Sequence, residues 1–215
     1  MTITVTDIRA VGDGAEAAVC VEVVSGEKCQ RIKGNVTAAM LSELGFGLWP
    51  EAFAIDRETC ERLLDCMKLT SAIKKGLSLL AFSRNTARTM KRKLMQKGFS
   101  EEIARRASEY LVHHGFIDEQ SDAELAVETM AKRNLYGPNR IKTALYAKGF
   151  PEDVIRTALL ESELDFDDIC YARLRKLGGD ISDAQEKKKL VSKLMYYGFS
   201  YDHIREAFSR YGEEN

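Results

Sequence analysis

The sequence predicts a mainly α-helical protein: a curved array of three tandem three-helix repeats, preceded by a small α+β N-terminal domain with a short antiparallel sheet. The first observation is a repeated phrase, since LMQKGF at 94–99 returns as LYAKGF at 145–150 and as LMYYGF at 194–199. The second is composition, because 215 residues with 45% hydrophobic residues, 30% charged residues and 3 prolines are typical of a helix-rich globular protein. The third is residues 1–34, where short apolar stretches alternate with glycine-containing turns.

The N-terminal segment predicts a three-stranded meander followed by two helices. Turns at Gly12–Gly14 and Ser25–Glu27 separate its β-rich stretches. These stretches are 3–11, 17–24 and 28–34. Capping residues predict a short helix over 37–44 and a second helix over 56–68. Together these elements predict one small α+β domain over residues 1–69.

Each repeated phrase has the form of a helix end. Glycine at the C′ position adopts a left-handed backbone that costs a residue with a side chain. Counting back from Gly98 makes Leu94 the C3 residue and Phe99 the C″ residue. These are the two positions whose side chains meet in a Schellman motif, and the other two phrases repeat the arrangement.

The phrase alone is weak support for duplication, because 41–46 and 111–116 also contain it. Agreement beyond the phrase is stronger, since an arginine follows each of the three glycines by seven residues and an alanine follows by nine. These residues are Arg105, Arg156, Arg205, Ala107, Ala158 and Ala207. A period near 50 residues with shared caps, core positions and charges indicates repeated supersecondary units.

Three helices are expected in each repeat. The predicted helices are 71–82, 85–97 and 100–114 in the first repeat, 120–134, 138–148 and 152–162 in the second, and 165–177, 184–197 and 201–211 in the third. The predicted domains are 1–69, 70–118, 119–163 and 164–215. Units of this kind bury their apolar stripes partly against their neighbours, so we expect an elongated, curved array.

The sequence contains no motif that indicates catalysis. It has no phosphate-binding loop, no dinucleotide fingerprint and no nucleophile elbow. His113 and His114 are adjacent on a helix and therefore cannot chelate one ion together. We expect no enzymatic activity, no cofactor and no metal.

The sequence also predicts where the protein acts. Its five cysteines contain no C-x-x-C pair, which favours reduced thiols in a cytoplasm. The sequence contains no run of about 18 apolar residues, so it predicts no membrane span. We expect a monomeric cytoplasmic protein without membrane contacts.

Charge is unevenly distributed along the chain. Residues 1–70 carry 7 basic and 11 acidic side chains, whereas residues 71–120 carry 10 basic and 5 acidic ones. The stretch 84–97 is basic without any acid, and helical spacing places three of its cations on one face. These are Arg88, Lys91 and Arg92. Such a face can bind phosphates or an acidic protein surface, or it can be a solvated face balanced by glutamates nearby.

A second, smaller basic cluster flanks Tyr136. Its members are Lys132, Arg133, Arg140 and Lys142. An aromatic ring between cations can stack on an unpaired base. Beside Gly137 and Pro138, the same ring can instead pack a turn.

Residues 111–150 resemble the central signature of RecX, the bacterial regulator of the RecA recombinase. The resemblance lies in an apolar-Asp pair at Ile117-Asp118, an Arg-Ile pair at Arg140-Ile141, and the Leu-x-x-Lys-Gly stretch at Leu145–Gly149. The basic helix and its successor, 83–111, are similar to the Ser-led first signature of the family. The likeness covers about residues 70–215 and is weaker in the third repeat.

The chain departs from the family pattern at two places. Asp118-Glu119 stands where the family has two aspartates, and Glu124-Leu125-Ala126 replaces the usual Phe-Ala. The β-rich residues 1–69 lie outside the shorter members, although longer members also carry an N-terminal extension.

The resemblance implies a role in DNA repair, recombination and the SOS response. A crescent of three-helix repeats would bind the RecA nucleoprotein filament in its helical groove, limit its growth and suppress RecA strand exchange, ATPase and coprotease activities. The basic residues that we expect to contact the partner are Arg84, Arg88, Lys91, Arg92, Arg105, Arg106, Lys132, Arg133, Arg140 and Lys142. Two alternatives stay open: a module that binds single- or double-stranded DNA with low sequence specificity and without RecA, and a helical scaffold for an unrelated partner.

Overall fold

A computed structural model describes residues 2–47 and 51–214 of the chain. The strands are β1 (Thr2–Val11), β2 (Glu16–Ser25), β3 (Lys28–Thr37) and β4 (Phe53–Ala54). The helices are α1 (Ala38–Glu43), α2 (Arg57–Leu80), α3 (Ala87–Gln96), α4 (Glu101–His113), α5 (Glu119–Lys132), α6 (Pro138–Lys148), α7 (Glu152–Leu160), α8 (Phe166–Leu177), α9 (Ala184–Tyr196) and α10 (Tyr201–Glu214). The chain divides into two compact units, Met1–Ile117 and Asp118–Asn215.

The predicted antiparallel meander is confirmed. Its strands form a sheet of order β3-β2-β1-β4, in which every neighbouring pair is antiparallel. The two-residue strand β4 was not predicted, because two residues are too short to show alternation. Val5, Val19 and Val21 are buried on the face that packs against α2. Gly34 of β3 lets this strand approach α2 closely, since a Cβ there would lie 2.8 Å from Met67 Sδ.

The prediction of separate helices over 56–68 and 71–82 is wrong, because α2 is one helix of 24 residues. Asp56 caps it as expected by accepting a 2.7 Å hydrogen bond from the Thr59 amide. No glycine or proline interrupts 68–71, and the buried stripe of α2 continues from the core of the sheet into that of the first repeat. One helix therefore serves both cores. The division into domains 1–69, 70–118, 119–163 and 164–215 stays a prediction.

The three-helix repeats are confirmed, and each has its own hydrophobic core. The first repeat consists of the C-terminal part of α2 with α3 and α4, the second of α5 to α7 and the third of α8 to α10. The alanines predicted at equivalent positions are buried in these cores. They are Ala107, Ala158 and Ala207, and each is at most 1% exposed.

The predicted helix ends are Schellman motifs. Gly98, Gly149 and Gly198 all have φ of 93°. After each glycine, the phenylalanine amide donates to the carbonyl of the leucine five residues earlier, at N···O distances of 3.2–3.3 Å. The same bond follows Gly45 and Gly115, at 2.9 Å in both places. The leucine and the phenylalanine of each repeat lie in the same core cluster, which stabilises the chain reversal.

Two of these glycines provide a matched pair for mutation, since their φ is identical and their surroundings differ. A Cβ at Gly98 would meet nothing within 4 Å, whereas one at Gly198 would lie 2.3 Å from the Arg140 backbone nitrogen. We expect Gly98→Ala to lower the free energy of unfolding by about 1 kcal/mol through backbone strain alone. We expect Gly198→Ala to lower it by about 2–4 kcal/mol, because backbone must also move. Urea denaturation followed by far-UV circular dichroism measures both, and equal losses would contradict the close approach.

The thiols of the chain should differ in reactivity. Burial, together with the nearby Asp167, raises the pKa of Cys170 to about 12, so its thiol is neutral at physiological pH. Cys29 is exposed on β3. Because the thiolate is the reactive form, iodoacetamide should modify Cys29 in the native protein and reach Cys170 only after unfolding. Peptide mass spectrometry measures the two rates, and comparable rates in the native state would show that the third core is open.

Candidate partner-binding surfaces

Helix α3 carries the predicted basic face. Thr86 begins the helix by accepting a hydrogen bond from the Thr89 amide, and Met90 and Leu94 are completely buried. The opposite side therefore faces solvent. Arg88 and Arg92 are exposed there and form no ion pair with residues 2–47 or 51–214.

The remaining cations predicted in the first repeat are engaged within the molecule. Lys91 Nζ lies 2.7 Å from Glu101, and Arg106 is paired with Asp65 of α2. Arg105 lies 2.7 Å from both Glu102 and Glu109. Arg84 is exposed before α3 and also takes part in an intramolecular interaction.

Two of these contacts favour the ionised form of the partner carboxylate. The hydrogen bond from Lys91 lowers the pKa of Glu101, and the one from Arg105 lowers the pKa of Glu102. Exposed ion pairs of this kind contribute little to stability. They do neutralise the charge of Lys91, so of the three cations on the predicted face of α3 only Arg88 and Arg92 form no ion pair with a described residue.

The basic cluster around Tyr136 also contains cations that are paired with acids and cations that are not. Lys132 lies 2.6 Å from Glu128, and Lys142 lies 3.2 Å from Glu152. Arg133 is exposed and has no ion pair within the described part of the chain. Arg140 contacts aromatic rings instead of carboxylates.

Arg140 lies at the centre of a tyrosine cluster. Its guanidinium carbon is 4.3 Å from the ring centroid of Tyr136, 4.5 Å from that of Tyr196 and 5.4 Å from that of Tyr197. It also donates a 3.1 Å hydrogen bond to the Tyr196 carbonyl oxygen. Arg140 and Tyr197 both pack beside the Tyr136 ring, which supports a packing role at the turn, and stacking of this ring on a base stays a prediction. The Tyr196 side of the cluster is open, since this residue is 72% exposed.

Arg173 completes this cluster from α8. It is 8% exposed, stacks 3.9 Å from the Tyr197 centroid, and donates to the backbone carbonyls of Asn134 and Leu135. Leu135 has φ of 49°, so Arg173 holds a strained turn between α5 and α6. Sequence reasoning missed Arg173, because an arginine in a mixed-charge helix carries no signal of burial.

The main chain joins the second and third repeats at the same place. Gly137, the N-cap of α6, has no side chain to satisfy the first amides of that helix. The end of α9 satisfies them instead: the Gly137 amide donates to Tyr197 O at 2.8 Å, and the Asn139 amide donates to Gly198 O at 3.2 Å. A Cβ at Gly137 would lie 2.4 Å from the Gly198 carbonyl carbon. The two repeats therefore share a close backbone junction, of which Arg140 is part.

Within 2–47 and 51–214, no three His, Cys, Asp or Glu side chains come together as a metal site. None of the described helices combines the length and the apolar character that crossing a membrane requires.

Comparison with known proteins gives consistent matches. The family model of the second three-helix domain of RecX matches residues 118–159. Regulatory protein RecX of Chlorobaculum tepidum is 31% identical over 147 residues, which are 66% of this chain and 89% of that protein. Regulatory protein RecX of Clostridioides difficile is 29% identical over 162 residues, covering 73% and 75% of the two chains.

Two solved structures share the fold. A crystal structure of regulatory protein RecX superimposes with a TM-score of 0.70 at 18% identity, covering 96% of this chain and 99% of the other. The crystal structure of RecX from Lactobacillus salivarius gives a TM-score of 0.60 at 23% identity, covering 66% and 96%. Since the Chlorobaculum tepidum relative is matched over most of its length, the resemblance found in the sequence is confirmed, and the chain belongs to the RecX family of regulatory proteins.

Proposed function

We propose that this protein regulates the RecA recombinase by binding the RecA–DNA filament and inhibiting its strand exchange, ATPase and coprotease activities. Membership of the RecX family carries the proposal. The protein acts as a cytoplasmic monomer and by binding, without chemistry of its own. A regulator of this kind inhibits when it binds the inactive arrangement of its partner more tightly than the active one.

The repeats supply a preorganised surface for such binding. In the unit Asp118–Asn215, the backbone junction between Gly137 and Gly198 fixes the second repeat against the third. Side chains carried by fixed helices lose less conformational freedom on binding than side chains on flexible segments. This supports recognition of a regular polymer, whose protomers present the same surface at constant spacing.

Among the ten expected contact residues, the unpaired arginines are the strongest candidates. Arg88, Arg92 and Arg133 bring positive charge to a partner, since none of the three forms an ion pair within the part of the chain that the structure describes. The ion-paired cations each bring an acid to the partner as well, as in Lys91, Arg105 and Lys132. Turning such a cation toward a partner breaks only an exposed ion pair, which contributes little to stability, but the released carboxylate then repels phosphate.

A second candidate function is low-specificity DNA binding without RecA. The observation that favours it is the basic stretch 84–97, which has no acidic residue, together with the exposed pair Arg88 and Arg92. Exposed cations on one helix face can follow a phosphate backbone without reading bases.

The first test is inhibition of DNA-dependent ATP hydrolysis by RecA. Wild-type protein should lower the rate, and the double reversal Arg88→Glu with Arg92→Glu should require about tenfold more protein for the same effect, because both charges then repel phosphate. Lys188→Glu with Lys189→Glu is the matched control, since it reverses the same number of exposed charges on α9. Arg105→Gln should change inhibition less than about twofold, because that arginine is already neutralised by Glu102 and Glu109. Wild-type protein that leaves hydrolysis and strand exchange unaffected in every salt condition would refute the proposal.

Binding of DNA alone separates the two candidates. If α3 contacts about two to four phosphates, a plot of log affinity against log salt should have a slope of about −2 to −4, and the Arg88/Arg92 reversal should flatten it. Fluorescence anisotropy of labelled single- and double-stranded oligonucleotides measures the slope. A reversal variant that loses DNA affinity but keeps full inhibition of RecA would exclude the DNA-only function.

A further inference from the structure

A groove in the unit Met1–Ile117 follows one stripe of α2. The α2 residues that line it run from Leu64 to Ser78 and recur about every three or four residues, on one side of the helix. This stretch of α2 is about 21 Å long. The hollow beside β3 has a volume of 540 Å³. A second hollow of 520 Å³ lies toward the turn between α3 and α4, and the two share Ser71, Lys74 and Phe99.

Every charged residue in the described lining of this groove is basic. They are Lys33 from β3, Lys68, Lys74 and Lys75 from α2, and Lys97 from the end of α3. Lys74 is paired with Glu16. The other four form no ion pair with any residue that the structure describes. The groove is therefore a concentration of uncompensated positive charge that the sequence analysis did not single out.

The groove also runs along an open sheet edge. Strand β3 is outermost in the sheet, and among the described residues its one strand partner is β2, with which it pairs over its full length. Four consecutive residues, Ile32 to Asn35, line the hollow. Because successive residues of a strand point to opposite faces, a hollow that meets four in a row lies along the edge. An edge of this kind presents backbone amides and carbonyls to an incoming strand.

We propose that this groove binds an extended acidic segment of a partner protein by strand addition to β3. The backbone of the segment pairs with the edge of β3, and its carboxylates contact the lysines of α2 and Lys97. Main-chain hydrogen bonds supply affinity in this mode, and pockets for alternate side chains supply specificity. The inference goes beyond the proposed regulation of RecA and does not depend on it.

The floor of the groove favours a polypeptide over a nucleic acid strand. Between the lysines lie the side chains of Ile32, Leu64 and Met67, which suit aliphatic residues alternating with acidic ones. A nucleic acid strand instead needs successive aromatic faces on which to stack its bases. Phe99 is the one aromatic residue in the described lining of both hollows, and it is half-buried.

The test uses the full chain and a short fluorescein-labelled peptide in which glutamate alternates with valine. Fluorescence anisotropy should show binding to wild-type protein. Lys68→Glu with Lys75→Glu should weaken it about tenfold or more, because both reversed charges line the groove. Lys188→Glu with Lys189→Glu should change it less than about twofold. Far-UV circular dichroism and thermal unfolding of both variants establish that each is folded.

A second probe tests strand addition itself. The same peptide with alternate backbone amides methylated keeps its charge but loses its donors, and it should bind at least about tenfold more weakly. Equal binding of the methylated peptide would overturn strand addition, and no binding of either peptide would overturn the site. An oligothymidylate that binds more tightly than the peptide and is lost in the Lys68/Lys75 variant would assign the groove to nucleic acid instead. These assays contain no RecA, so their outcome is separate from that of the ATPase test.

Discussion

The three-helix repeats depend on one backbone constraint: the chain must leave one helix and begin the next within a few residues. Glycine with φ of 93° makes this reversal where an L side chain would cost about 1–2 kcal/mol. The following phenylalanine amide then binds the carbonyl of a core leucine, and the phenylalanine side chain joins the same core. Helix termination and core packing therefore stabilise each other, which explains why the same phrase ends a helix in each of the three repeats.

One of these reversals has a second role. The carbonyls of Tyr197 and Gly198 end α9 and at the same time accept hydrogen bonds from the first amides at α6, whose N-cap glycine offers no side chain. Two glycines face each other at this point because neither tolerates a Cβ. Arg140 and Arg173 then cover the junction by stacking on tyrosines rather than by pairing with acids. Cations that a sequence suggests for partner binding can thus be required by the fold.

The distribution of ion pairs determines which surfaces present positive charge. Lys91, Arg105, Arg106, Lys132 and Lys142 are compensated by acids that are close in the fold. Two surfaces of the first unit present cations that form no ion pair with the described residues: the Arg88 and Arg92 side of α3, and the groove beside α2. With a net charge of −1 for the whole chain, attraction of an anionic partner must come from such local surfaces.

The sequence by itself determined the features that arise from local physics. Helix ends, caps, the three cores and the meander follow from glycine conformation, capping side chains and apolar periodicity, all of which act within a few residues. Tertiary structure decided the rest, because it depends on residues that are distant in sequence. Four features depend on which elements pack together, and the sequence around each residue does not encode its packing partner. They are the continuation of α2 from the sheet core into the core of the first repeat, the pairing of Arg106 with Asp65, the burial of Arg173, and the alignment of lysines along the edge of β3.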